Sequence, residues 1–481
     1  MNYPASSRCL GTLCAAVFLF TACGGSQNAG PVNPISAAAG ASARLRGMAG
    51  GDPCEGKGGS SSPSTNTEWT TDGRFIEERV KGEAPHHFFV KGVAYSPTPI
   101  GGFVTDPPAC NSPLRNSNKP IWSRDLPMMQ MMGVNVIHVY NVTPPPWADG
   151  PEAHVGTINE FLDAAWNNGK NPIFVIMSIH FASSKLLDEG AVNSLVNQYY
   201  ELDKKYAKYP AVMGVAISNE IIGNDVWDNK AWWDNFNRVA VSAKRGFEDQ
   251  GAKKLVMTSD YDGLTKIDFK GIQQIAQIYY GEKYHAAVDV WGDNTFRGRS
   301  FTEHPNNLFT QVRDTTDKPV IFTEYGASAA YHTAEANTYS YPKGNPDKNG
   351  VCDPLKPTSL PLTRDVKELP NDAGANPNMA GLVDYVKNSA ELLYKGYQTD
   401  GVVSGGTYLE WTDEWWKADV NDWGFRSKHV GDLNFTNYWP GCARDEAWYG
   451  LNAITKGRGS VDALTARTTR GALKQIWATE R

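Results

Sequence analysis

Short apolar runs and longer amphipathic stretches alternate along the chain from about residue 86 to its end. The runs are HFFVKGVAYS (87–96), VNVIHVYNV (134–142), PIFVIMSIH (172–180), VMGVAISNE (212–220), KLVMTSDYD (254–262), AVDVWGDNTF (287–296), PVIFTEYG (319–326) and VVSGGTYLEW (402–411). Each has strand length, and several are apolar at consecutive positions, which is the pattern of strands covered on both faces. Between several of them lie segments with helical spacing: INEFLDAAWNNG, AVNSLVNQYYELDKKYA, WWDNFNRVAVSAKRGFEDQG and MAGLVDYVKNSAELLYKGY, with ALKQIWATE at the end. Strands that alternate with helices pair in parallel, so the pattern predicts an α/β fold, a (β/α)8 TIM barrel with long loops at the C-terminal face of the strands. A doubly wound open sheet is the rival arrangement, but no Gly-rich phosphate fingerprint follows the first run to support it.

Elsewhere the pattern weakens. Residues 327–378, rich in Pro, Asn, Gly and Tyr, follow the seventh run and are expected either to wall a cleft or to be passive elaboration. Residues 23–68 are mostly Gly, Ser, Ala, Pro and Asn with hardly any apolar periodicity, which reads as a flexible tether before one folded domain, 69–481. Within residues 1–22, Arg8 precedes LGTLCAAVFLF, an apolar stretch too short to span a bilayer as a mature helix and typical of a secretory signal peptide. Its end, LFTAC, resembles the lipobox of bacterial lipoproteins, with Phe20 where Leu is usual. That resemblance implies lipid attachment at Cys23 and a place in the bacterial cell envelope, anchored to a membrane outside the cytoplasm. An ordinary secretory signal is the alternative.

The formal net charge of -6 comes without a basic stripe, which argues against a nucleic-acid partner. The 15 Trp and 21 Tyr supply stacking surfaces as well as core. Cys9 and Cys14 fall in the signal segment, which leaves Cys54, Cys110, Cys352 and Cys442 beside Cys23. Four cysteines in an oxidising compartment allow three pairings, and their spacing matches no zinc site.

Two of the runs end in a glutamate. ISNE places Asn219 and Glu220 at the tip of the fourth, and FTEYG places Glu324 at the tip of the seventh. Barrel strand tips converge on one face, and a carboxylate is costly to bury unless something holds it. Two carboxyl groups about 5 Å apart, one an acid and one a nucleophile, are what a retaining glycosidase needs. That chemistry requires no metal or cofactor.

These residues carry a resemblance. SNE after the fourth strand, TEYG after the seventh and an aromatic residue after the eighth resemble glycoside hydrolase clan A, the retaining TIM-barrel glycosidases. FFVKGVAYSPT, MGVNVIHVYNVTPP, DVWGDNTFRG and YLEWTDEWWK are most similar to the β-1,3-glucanosyltransferases and related β-glucanases within that clan. The similarity spans most of residues 86–481. It implies Glu220 as acid/base, Glu324 as nucleophile, Asn219 as donor to the sugar's 2-hydroxyl and Trp411 as floor under the reacting sugar. The substrate it implies is a β-linked glucan-type polysaccharide, hydrolysed or transferred by double displacement.

His138, His180, Phe296 and Tyr325 complete the expected substrate site. His138 stands where the clan commonly has Arg, and Phe296 where the family has a Tyr touching the nucleophile. Phe296 cannot donate a hydrogen bond, so Glu324 is expected to be harder to ionise unless Tyr325, Tyr280 or water substitutes. The two departures keep a catalytically impaired carbohydrate-binding surface lipoprotein as the alternative. Asp260, Asp262, Glu410, Asp413 and Glu414 are further acidic candidates, with salt bridges or solvated loops as the plainer reading. Trp411, Trp415, Trp416, Trp423, Trp439 and Trp448 are divided between sugar stacking and loop packing.

Overall fold

The computed structural model describes residues 67–102, 114, 118–142, 158–222, 226–261, 266–267, 273–296, 301, 308–332, 366–374, 377–399, 401–419, 428–430, 445–457 and 461–480. Cys23, the other cysteines, Asp262, Trp423 and Trp439 lie outside them.

Eight barrel strands among the described residues follow the predicted order: β1 (Val90–Ala94), β2 (Val136–His138), β3 (Phe174–Ser178), β4 (Val212–Ala216), β5 (Leu255–Met257, resuming at Asp260–Tyr261), β6 (Trp291–Asn294), β7 (Val320–Tyr325) and β8 (Gly405–Tyr408). Every neighbouring pair is parallel. β1 to β5 join in sequence, β1 also pairs with β8, and β8 continues to β7 and β6. Asp260–Tyr261 then pairs with β6, which closes the ring through the second segment of β5. The open-sheet alternative is thereby excluded.

Helices α1 (Lys119–Met132), α2 (Asn159–Trp166), α3 (Glu189–Tyr206), α4 (Lys230–Glu248), α5 (Ala276–Lys283), α6 (Leu308–Thr315), α7 (Pro377–Gln398) and α8 (Thr468–Thr479) each follow a strand, as parallel crossovers require. Their apolar stripes explain the packing. In α4, Trp232, Trp233, Phe236, Val239, Ala240, Ala243 and Phe247 are buried at helical spacing, and the Asn229 carboxamide caps the helix at Trp232 N, 3.1 Å.

Two apolar layers result. Val93, Ile137, Val175, Val215 and Phe322 pack outward against the helices, whereas Val136, Ile176, Met213, Met257, Val290 and Ile321 fill the barrel interior. A hairpin, Thr67–Asp72 with Phe75–Val80, seals the N-terminal end. Its Trp69 sits edge-on to Phe88 and Phe174 at 4.9 and 4.7 Å between ring centroids. Thr67 and Glu68, read from composition as tether, are therefore strand residues paired with Val80 and Arg79. Composition misses them because two residues carry no periodicity of their own.

With one end plugged, the C-terminal strand tips form the available mouth. The two described ends of the 327–378 insert pair there as a short antiparallel ribbon, Ala330–His332 with Val366–Glu368.

Candidate active site

The seventh strand does not alternate regularly. Ile321 faces the interior and Phe322 the helices, so strict two-residue alternation would turn Glu324 outward. Both neighbours show why it does not. On β6, Gly292 and Asn294 face Ile321 and Glu324, and on β8, Gly406 and Tyr408 face Phe322 and Tyr325. In each case three steps along β7 match two on its partner. β7 therefore carries one extra residue, a bulge that reverses the facing of the residues beyond it. Glu324 is aimed into the mouth, and Tyr325 turns out among Phe301 and Tyr408, with ring centroids 6.2 and 5.5 Å away. The next residue is Gly326, where a Cβ would collide with the Leu409 carbonyl oxygen.

The end of β4 is shaped by a different device. Ser218 and Glu220 both have left-handed backbones, φ 61° and 51°, an uncommon state for residues with side chains. Neighbours hold the turn in place. The Tyr199 hydroxyl of α3 accepts from Ser218 N at 2.9 Å and donates to Ile179 O at 3.0 Å. Ser218 Oγ accepts from Phe181 N at 2.9 Å and donates to its carbonyl at 3.0 Å, and Glu220 N donates to Ser259 O at 2.6 Å.

Asn294 joins the two glutamates. It is the register partner of Glu324, and its Nδ2 donates to Glu220 Oε1 at 3.0 Å and to Asn219 Oδ1 at 3.2 Å. Thr323 Oγ1 donates to Asn294 Oδ1 at 2.7 Å, which fixes the amide's orientation. Asn219 Oδ1 also accepts from Ser259 Oγ at 2.7 Å, so the amide nitrogen is the remaining donor of this side chain.

The electrostatics are those of a crowded acidic pocket. Glu324 is 7% exposed, and burial raises its pKa well above the carboxylate range, with the Glu220 charge adding to the rise. Lys417 opposes that rise, Glu446 strengthens it, and the Tyr140 hydroxyl stabilises the charged form. Tyr140 OH lies against Glu324 without a bond of full geometry. His138 is wholly buried with its ring 4.7 Å from that of Tyr140, and burial lowers its pKa to about 4. It is thus a neutral wedge behind Tyr140, not a cation. Phe296 shares a small cluster with Ala94, Tyr140, Leu409 and Tyr449.

The other expected residues divide. His180 follows β3 on the same face, half-buried, and the protein around it lowers its pKa to about 4. Tyr325 is a correction: the bulge turns it into the outer core, where it is 1% exposed and cannot line the mouth. Trp411 is a second correction. Its buried ring belongs to the outer layer with the Arg470 guanidinium 5.8 Å above it, so the Leu409 side chain, not Trp411, faces Phe296 and Tyr140. Tyr280 lies on α5, with its ring in the outer apolar layer. Asp413 is structural: Arg467 holds it with two bonds of 2.6 and 2.7 Å.

Sequence reasoning missed Tyr140, Asn294 and Lys417. The period of a strand carried two of these signals, since Tyr140 is two residues beyond His138 and Asn294 two before Phe296. Lys417 was signalled by its spacing of three from Glu414.

No family model matches the chain. Its sequence is 24% identical over 247 residues to a 1,3-beta-glucanosyltransferase of Arthroderma benhamiae, covering 50% of this chain and 42% of that protein. It is 24% identical over 262 residues to a 1,3-beta-glucanosyltransferase of Saccharomyces cerevisiae, covering 51% and 47%. The chain spans about half the length of the curated relatives it matches. Among solved structures, a GH2 beta-galacturonidase from Eisenbergiella tayi bound to glycerol overlays with a TM-score of 0.48 at 13% identity, covering 86% of this chain and 54% of that one.

Proposed function

We propose that the chain is a retaining glycoside hydrolase or transglycosylase acting on β-linked glucan-type polysaccharide. The observation that carries this reading is the bridge made by Asn294, which is paired with Glu324 along the sheet and bonded to Glu220 by its side chain. The names of the curated relatives support glucan as the substrate and a second sugar as one acceptor.

In the first step the Glu324 carboxylate attacks the anomeric carbon and forms a glycosyl ester. The bond to the leaving oxygen breaks, and Glu220 gives that oxygen its proton. In the second step Glu220 takes a proton from water or a sugar hydroxyl, whose oxygen displaces Glu324 from the anomeric carbon. Asn219 offers the sugar its amide N–H2, Asn294 holds Glu220, and the Tyr140 hydroxyl stabilises the charged form of Glu324. Two inversions give net retention.

The test is product analysis on β-glucans, β-mannans and β-galactans, with the anomer followed by NMR. β-Glucan cleavage or elongation with retained configuration is expected. Binding without turnover of any of them would replace this reading with that of a sugar-binding protein.

Membrane anchoring through Cys23 belongs to the same proposal and is supported by the LFTAC segment. Cys23→Ala is expected to abolish incorporation of labelled lipid and move the protein from the membrane to the soluble fraction, or to block its processing. Unchanged membrane association would remove the anchor from the reading.

A further inference from the structure

We infer that Lys417 is the counter-charge of the barrel mouth: its buried ammonium favours the ionised form of Glu324, and Glu414 and Glu446 fix that ammonium in position. The inference deepens the reading above, in which Glu324 is the nucleophile, and makes Lys417 a positioning residue.

Lys417 lies on the short 3₁₀ helix Trp415–Asp419 that follows β8, with a side chain 7% exposed. Its Nζ is 3.0 Å from Glu414 Oε2 and 3.7 Å from Glu446 Oε2. The same nitrogen is 6.0 Å from the ring centre of Tyr140, the residue whose hydroxyl lies against Glu324. Lys417 therefore stands on the Tyr140 side of the mouth.

The charges around it are unequal. Glu410 and Glu414 face it from the β8 loop, Glu446 from the short helix Glu446–Trp448, Glu324 from β7 and the Tyr140 phenol from just beyond β2. Neighbouring Asp413 and Arg467 already form a closed bidentate pair. Lys417, by contrast, meets four carboxyl groups with one positive charge. Burial alone would strip its proton, yet these carboxyls keep the ammonium charged. Its charge acts on Glu324 as well as on Glu414, and all three residues are buried, where solvent screens little. Glu446 plays two opposing parts: it anchors the ammonium and its own charge repels that of Glu324.

Opposite shifts on the two sides of this balance provide the test. With δ-¹³C-glutamate labelling, the Glu324 carboxyl signal, assigned through Glu324→Gln, is titrated in the full chain. Lys417→Met is expected to raise its midpoint by about one pH unit or more, Lys417→Arg to bring it back toward wild type, and Glu446→Gln to lower it. A merely structural lysine would not raise the midpoint in Lys417→Met and restore it in Lys417→Arg. Coincident midpoints in wild type and Lys417→Met would overturn the inference. If Lys417→Met does not fold, Lys417→Gln is titrated in its place: a raised midpoint supports the inference, and an unmoved or lower one overturns it. Where a glucan is turned over, the acidic limb of kcat/KM moves with the signal. Shifted midpoints in a protein inactive on every glucan would leave this inference standing and remove the proposed function.

Discussion

Glu324→Gln is expected to lower glycosyl transfer by about 10⁴-fold or more while leaving oligosaccharide binding nearly unchanged. The substitution keeps the size of a side chain that is 7% exposed and removes its nucleophilic oxygen, so loss of activity with normal folding is the expected pair of results. Glu220→Gln should behave differently. Its bond to Asn294 Nδ2 uses an acceptor that a carboxamide oxygen retains, so the geometry persists while the transferable proton is lost. Natural glycosides should then lose about 10²–10⁴-fold, and substrates with good leaving groups should be spared in the first step because they need little protonation. Steady-state and burst kinetics on a natural and an aryl β-glucoside pair measure this split. Equal losses on both substrates for Glu220→Gln, or measurable turnover near the wild-type rate for Glu324→Gln, would reassign the two roles.

How far these roles were legible in the sequence depends on which physical rule set each position. The strand tips were readable because Glu220 and Glu324 end uninterrupted apolar runs, and a parallel barrel brings all such ends to one face. Tyr325 was misplaced for a specific reason: the face of a strand follows its register, and the register of β7 is changed by one inserted residue that has no composition signal. Glycine often marks such a position, but the bulge lies within Phe322, Thr323 and Glu324. The backbone at Ser218 and Glu220 was equally hidden, since its left-handed form is held by Tyr199 from α3 and by Phe181 from the β3 loop. Tertiary partners of this kind leave no local pattern. Tyr140 and Asn294, by contrast, lay two residues from positions already singled out and were readable from strand alternation.

Removing the Tyr140 hydroxyl is expected to shift the pH dependence of the reaction. The mechanism needs Glu324 ionised before attack, so activity rises as pH rises through the Glu324 pKa. Burial raises that pKa first, and Glu220 and Glu446 raise it further, so the acidic limb of kcat/KM should already lie above the ordinary carboxylate range. The Tyr140 hydroxyl acts in the opposite direction by stabilising the charged carboxylate. Tyr140→Phe should therefore move the limb to higher pH by about one unit, which is roughly tenfold in rate below the new midpoint, and loss of orientation should lower the plateau as well. Phe296→Tyr tests the same donor from the other side. Phe296 packs in one cluster with Tyr140 and Tyr449, so a hydroxyl added there enters the pocket where Tyr140 already supplies one. Its effect should be small in the wild-type background and larger in Tyr140→Phe, where it replaces a missing donor. A double-mutant cycle on the limb position measures that coupling. Coincident limbs for wild type and Tyr140→Phe would show that the hydroxyl does not tune Glu324. The buried Lys417 ammonium, which opposes the proton on the nucleophile more strongly than Tyr140 does, would then be left to act without it.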